Sequence, residues 1–222
     1  MTEPRNGFAK HVRKPYRHVP QILAATVIFR WFNRVTTGER RRLQGVAPVV
    51  TGAYIIKTPV GYTKMEGVLR CIHFFKPRVD HYLACFPMQS LQRAHNELQA
   101  AVFLGNFMAY EIITDLRHTY LLENAPDIDT WASFGPGAAR GLGRMYHQDI
   151  NKYKRTSTRD QKAMLELSRG LLEMSRDNIF WPWQWPRWEM REVEHALCEY
   201  DKYERVRLGQ GKLKRKYKRS KA

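Results

Sequence analysis

The 222 residues are 43% hydrophobic and 12% aromatic, with a net charge of +17 and a pI near 10.0. That length supports one well-buried domain and is short for two, while the charge exceeds what solubility requires and points to a polyanionic partner, nucleic acid ahead of a membrane surface. No apolar run reaches the roughly 18 residues of a spanning helix, no signal-peptide core opens the chain, and Cys71, Cys85 and Cys198 form no C-x-x-C pair, which argues against a membrane span, a disulfide framework and a zinc finger.

In chain order, residues 1–19 form a basic arm in which Arg5, Lys10, Arg13, Lys14 and Arg17 alternate with Phe8 and Tyr16. Such an arm suits contacts to a phosphate backbone, and a solubility tail would read the same way. Residues 20–207 read as a single helical catalytic domain. From Pro20 to Arg34 the pattern is apolar over much of a helix circumference, so this helix is expected to be largely buried. Residues 46–71 break the trend with Val49-Val50, Tyr54-Ile55-Ile56 and Val60 between prolines and glycines, which predicts a short β-hairpin or an irregular loop. Ser90 is placed to cap a helix from Leu91 to Val102, and a second apolar helix is expected from Phe107 to Leu116 beyond Gly105. Thr156 or Ser157 can cap Arg159 to Ser175, with Leu165, Leu167, Leu171 and Leu172 inward. Pro186 suits the first turn of a final helix from Arg187 to about Val206. Residues 208–222 complete a basic tail: from Arg205 to Ala222 there are nine Lys/Arg and no acidic residue, a composition expected to be disordered when free.

Gly135-Pro136-Gly137 leads into a helix opening with Arg140 and Arg144, four apart on one face. The two glycines permit positive φ and close backbone approach, so free amides, the helix dipole and both arginines can converge on a phosphate. A plain helix-to-helix turn with solvated arginines accounts for the same residues.

A mainly helical basic protein with a glycine turn resembles the helix-hairpin-helix DNA glycosylase-like proteins. Four blocks narrow the likeness: Phe29-Arg-Trp-Phe-Asn-Arg34, Leu104-Gly-Asn-Phe-Met-Ala-Tyr-Glu-Ile-Ile-Thr-Asp-Leu-Arg117, Asp129-Thr-Trp-Ala-Ser-Phe-Gly-Pro-Gly-Ala-Ala-Arg-Gly-Leu142 and Val193-Glu-His-Ala-Leu-Cys-Glu-Tyr-Asp-Lys-Tyr-Glu-Arg205. They resemble phage α-glutamyl/putrescinyl-thymine pyrophosphorylases, also described as amino acid:DNA transferases, which are related to the helical domain of 5-hydroxymethyluracil DNA kinases. The likeness spans roughly residues 20–207. It implies that pyrophosphate on 5-(pyrophosphoryloxymethyl)uracil in DNA is replaced by an amine, glycine for instance, after a kinase has acted. For a phage-encoded chain the implied location is the host cytoplasm.

That reaction needs an anion site, a base to neutralise the amine and access to a nucleobase. Gly135, Gly137, Arg140 and Arg144 suit the pyrophosphate. Asp127 and Asp129 can hold Mg²⁺ on the leaving group, although Asp129 equally suits an N-cap for Thr130 to Phe134; no other cofactor or metal is implied. Glu111 and Asp115, four apart in an apolar run, are candidate catalytic bases, or members of a buried salt bridge with Arg30, Arg34 or Arg117. Arg30 and Arg34 suit the carboxylate of the incoming amino acid and Asn33 a uracil edge.

Trp131 and the run Phe180-Trp-Pro-Trp-Gln-Trp-Pro-Arg-Trp188 offer stacking surfaces, as core filling or as a base platform. On the last helix, Glu192, Glu194, His195, Glu199, Asp201, Lys202 and Arg205 have the spacing of a solvated charged face; the resemblance singles out Glu199, Asp201, Lys202 and Arg205. Cys198 reads as packing. Two other functions fit: a glycosylase or lyase, for which Asp149 is the available carboxylate beyond the turn, and a non-catalytic basic DNA-binding module.

Overall fold

The amphipathic periods of the sequence fold into helices throughout the described part of the chain. The structure is a computed structural model and describes residues 13–32, 60–86, 90–101, 104–147, 149–177 and 179–211, among which there is no β-strand. The chain divides into two compact units, Met1–Asp127 and Ile128–Ala222.

In the first unit, α1 (Gln21–Phe32) buries Ile22, Leu23, Thr26, Val27, Arg30 and Trp31. This spacing is one continuous stripe of a 3.6-residue helix. It packs against α5 (Asn106–Leu116), in which every residue from Met108 to Leu116 is buried. A helix covered all round is the centre of its unit. Around it lie α2 (Lys64–Phe75), α3 (Val79–Cys85) and α4 (Leu91–Gln99), with Pro77 in the 3₁₀ turn that separates α2 from α3. Trp31 meets Phe75 edge-on at 6.0 Å, and Phe75 stacks on Tyr82 at 5.1 Å.

Of residues 46–71, where a short hairpin or an irregular loop is expected, only 60–71 are described, and 64–71 are helical. Residues 46–59 lie outside the described residues; Gly61 turns with φ +89°, and α2 begins at Lys64. Its start is a capping box: the Thr63 side chain accepts from the Glu66 amide, and the Glu66 carboxylate accepts from the Thr63 amide at 2.7 Å. Ser90 caps α4 as expected, accepting from the Arg93 amide at 3.0 Å, and α4 ends at Gln99 rather than Val102.

His95 is buried on α4. Its Nε2 donates to the Asn106 carbonyl at 3.1 Å and its Nδ1 accepts from Gln99 Nε2 at 3.0 Å, which specifies the neutral ring. Burial lowers the imidazole pKa, against the opposing pull of the Asn106 carbonyl. A folded pKa below the unfolded value of about 6.5 means stability that is complete above that pH and is lost as pH falls below it. The wild-type Tm should therefore drop between about pH 7 and pH 5.5, and His95→Gln should flatten that drop; identical slopes in a thermal-melt series would refute the assignment.

In the second unit, α6 (Pro136–His147) lies along α8 (Met190–Arg207), and α7 (Thr158–Met174) packs on both. Ser157 caps α7, accepting from the Asp160 amide at 3.2 Å. The inward face of α7 is Met164, Ser168 and Leu172, while Leu165 and Leu167 are only half-buried. The last helix starts later than expected, because Glu189 and Glu192 form its capping box and Pro186 lies outside it.

Gly135 and Gly137 do not have positive φ; among the described glycines only Gly61 and Gly209 do. The glycines of α6 serve close packing instead. A Cβ on Gly137 would lie 2.5 Å from Cys198 Sγ, and one on Gly141 would lie 2.3 Å from the Leu197 carbonyl oxygen, both on α8. A Cβ on Gly143 would meet the Asp149 carbonyl at 2.2 Å.

Candidate functional site

The close approach of α6 to α8 brings Arg140 and Arg144 onto one carboxylate. Asp201 is fully buried; its Oδ2 accepts from Arg140 Nε at 2.9 Å and lies 2.7 Å from Arg140 Nη2, and its Oδ1 accepts from Arg144 Nε at 2.9 Å. Arg144 also donates through Nη2 to Gln210 at 2.7 Å. Burial raises the Asp201 pKa, but the hydrogen bonds and charges of the two arginines outweigh it and hold the carboxyl below its ordinary range. Glu204, paired with Arg207, is also within electrostatic reach of Arg144, so two carboxylates face three arginines and the cluster is cationic. Its polar surface is Arg140, whose side chain is 30% exposed and whose Nη1 makes no hydrogen bond among the described residues.

The expected solvated face of α8 is thus only partly so. Glu194, Asp201 and Glu204 are buried, on the stripe that Met190, Val193 and Leu197 begin. Glu204 pairs with Arg207 at 2.7 Å, and exposed Lys202 pairs with Glu199 at 2.5 Å. Arg205 is half-buried, with its guanidinium close to Gly211.

The glycine turn itself is occupied from within the protein. Glu194 Oε1 is 3.5 Å from the Gly135 amide, so a carboxylate already faces the end of α6 where a phosphate was expected. Helix rise places Arg144 about 12 Å along the axis from Pro136. The Arg144 end of the pair thus lies more than two turns from the turn amides, and Arg140 about one turn from them.

Asp129 does not cap a helix, since Thr130 to Phe134 is not helical; it pairs with Arg176 at 2.6 Å. Asp127 accepts from the Leu91 and Gln92 amides at 2.6 and 3.0 Å, at the N-terminus of α4. Both aspartates are engaged in this way, and among the described residues no group of three His, Cys, Asp or Glu is placed to hold a metal ion. Trp131 is buried. Asp149 accepts from the Asn151 amide at 2.9 Å in a local turn.

In the first unit, Arg30 is buried and bridges the two carboxylates of α5. Its Nη1 donates to Glu111 Oε2 at 2.5 Å and its Nε to Asp115 Oδ2 at 2.6 Å. Arg13 approaches the other Asp115 oxygen at 3.8 Å. The salt-bridge alternative for Glu111 and Asp115 is therefore realised, with Arg30 as the cation. Asn33 and Arg34 lie outside the described residues. In the basic arm, Arg17 donates to Glu123 at 2.5 Å, and its carbonyl accepts from Tyr120 at 3.1 Å.

Three contacts here had no signal in residue spacing: Glu194 at the α6 terminus, Gln210 on Arg144, and Arg13 on Asp115. Each depends on side chains far apart in sequence. The Cys198 thiol is raised mainly by burial, and Cys71 is pushed up to about 11 by burial, which accords with packing roles. No helix among the described residues is long and apolar enough to cross a membrane.

The family model described as 5-hmdU DNA kinase, helical domain, matches residues 40–213. No curated protein and no solved structure matches the chain.

Proposed function

The chain belongs to the family of 5-hmdU DNA kinase helical domains, and on that premise we propose that it modifies thymine in DNA by displacing pyrophosphate from 5-(pyrophosphoryloxymethyl)uracil with the amine of an amino acid, glycine for instance. The observation that carries the reading is the pair Arg140 and Arg144 held by buried Asp201. Arginines fixed by a buried carboxylate are preorganised for a polyphosphate, since their orientation is set before the ligand arrives.

The amine nitrogen donates its lone pair to the 5-methylene carbon. The C–O bond breaks, and pyrophosphate leaves with the bonding electrons, its charge met by the arginine pair. The amine must first be neutral, and its proton goes to a carboxylate; the candidates that the first unit offers are Glu111 and Asp115, and that role stands or falls by their own variants. Mg²⁺ on the leaving group is compatible with this chemistry and is tested by adding EDTA.

The test supplies kinase-treated, pyrophosphorylated hydroxymethyluracil DNA and single amino acids, then digests the DNA to nucleosides for mass analysis. An amino-acid adduct on thymine is the expected product. Arg140→Ala should reduce its rate about 100-fold while DNA is still bound, and Glu111→Gln should lower turnover without changing affinity. Abasic sites in place of adducts would mean a glycosylase. Binding without any product, unchanged in both variants, would mean a DNA-binding module.

A further inference from the structure

The second unit contains an apolar pocket of about 290 Å³ that the transfer chemistry does not use. Phe180, Trp181 and Trp188 form its aromatic side, and Leu171, Val193 and Leu197 are among the aliphatic groups opposite. Trp181 packs edge-on against Trp188 at 4.8 Å and against Trp185 at 4.9 Å, and its indole N–H donates to the Pro186 carbonyl at 3.2 Å. The loop is held by its own backbone: the Asp177 carbonyl accepts from Phe180 and Trp181, and the Pro182 carbonyl from Trp185 at 2.8 Å. A loop so bonded presents its rings in a set geometry.

The rings nevertheless face water. Phe180 is 61% exposed, Trp183 80% and Trp185 56%. Large aromatic groups left uncovered together mark a surface that something else covers. Between Trp185 and Trp188 stands Arg187, exposed and without an ion pair among the described residues. Exposed aromatic rings interleaved with an unpaired cation, in a chain of net charge +17, match an unstacked nucleobase on a phosphate chain.

We propose that this pocket and the adjoining segment from Trp183 to Trp188 bind an unpaired base of the DNA strand by stacking, so that the protein engages locally single-stranded DNA. The inference rests on the DNA reading above but not on the transfer reaction. An almost wholly apolar lining has little to pair with a base edge, so the site accepts bases with little regard to sequence.

Binding is measured by fluorescence anisotropy with an oligothymidylate of about 12 nucleotides and with a duplex of the same length. Single-stranded binding should quench tryptophan fluorescence. Phe180→Ala and Trp185→Ala should each weaken it about tenfold and leave duplex affinity, set by Lys and Arg contacts, unchanged. Trp183→Ala alters the most exposed of these rings and guards against a folding artefact. Equal losses for both DNAs, or none for either, would overturn the stacking site. Failure of the wild type to bind any DNA would overturn the DNA reading as well. Selective loss together with a negative adduct assay would leave the stacking site standing and reject only the transferase.

Discussion

Gly141→Ala is expected to destabilise the second unit by about 3 kcal/mol, the upper end of what overpacking costs and a large share of an ordinary domain's stability. In an exposed helix the same change gains about 1 kcal/mol, so the sign is diagnostic. The added methyl would lie 2.3 Å from the Leu197 carbonyl oxygen, which is backbone and cannot rotate away. Gly137→Ala meets a side chain instead, Cys198 Sγ at 2.5 Å, with Cys198 Cβ at 3.4 Å. It should also be destabilising, and Cys198→Ala should restore most of the loss because only the sulfur obstructs. Gly170, with nothing within 4 Å in α7, is the control: Gly170→Ala should stabilise. Urea unfolding of the four variants decides the matter. A stabilised Gly141→Ala would mean that α6 and α8 do not pack this closely.

These glycines show where sequence reading ends. Gly135, Gly137 and Gly141 look the same to a one-dimensional reading whether they serve a turn, a phosphate or a helix crossing, because the partner backbone lies more than fifty residues away. Local features were readable: Ser90 and Ser157 each sit one residue before an amphipathic run and cap it. Thr63 to Glu66 was equally local, a capping box concealed by the valines, prolines and glycines just before it. On α8 the spacing Met190, Val193, Leu197 continues to Asp201 and Glu204, so the period itself places both carboxylates on the buried side. Charge suggested a solvated face there, and period was the better guide. The pairing of Glu111 and Asp115 with Arg30 was readable as one of three partners; tertiary packing of α1 on α5 decides which.

Arg30→Met should cost the first unit about 3–5 kcal/mol, since it takes from two buried carboxylates the one cation that bridges them, with only the more distant Arg13 remaining near Asp115. Arg30→Lys should recover only part of this, because one ammonium cannot reproduce the forked contacts to Glu111 Oε2 and Asp115 Oδ2. The informative variant removes all three charges together, Arg30→Met with Glu111→Met and Asp115→Leu. Apolar replacement of a buried ion network is commonly neutral or stabilising, so this triple variant should regain the melting temperature that Arg30→Met loses. Recovery of stability then separates fold from function. If Glu111 and Asp115 take the amine's proton, the refolded triple variant should bind DNA and yield no adduct. If it turns over like the wild type, the carboxylates serve only to hold α1 on α5, and the base must lie elsewhere in the chain.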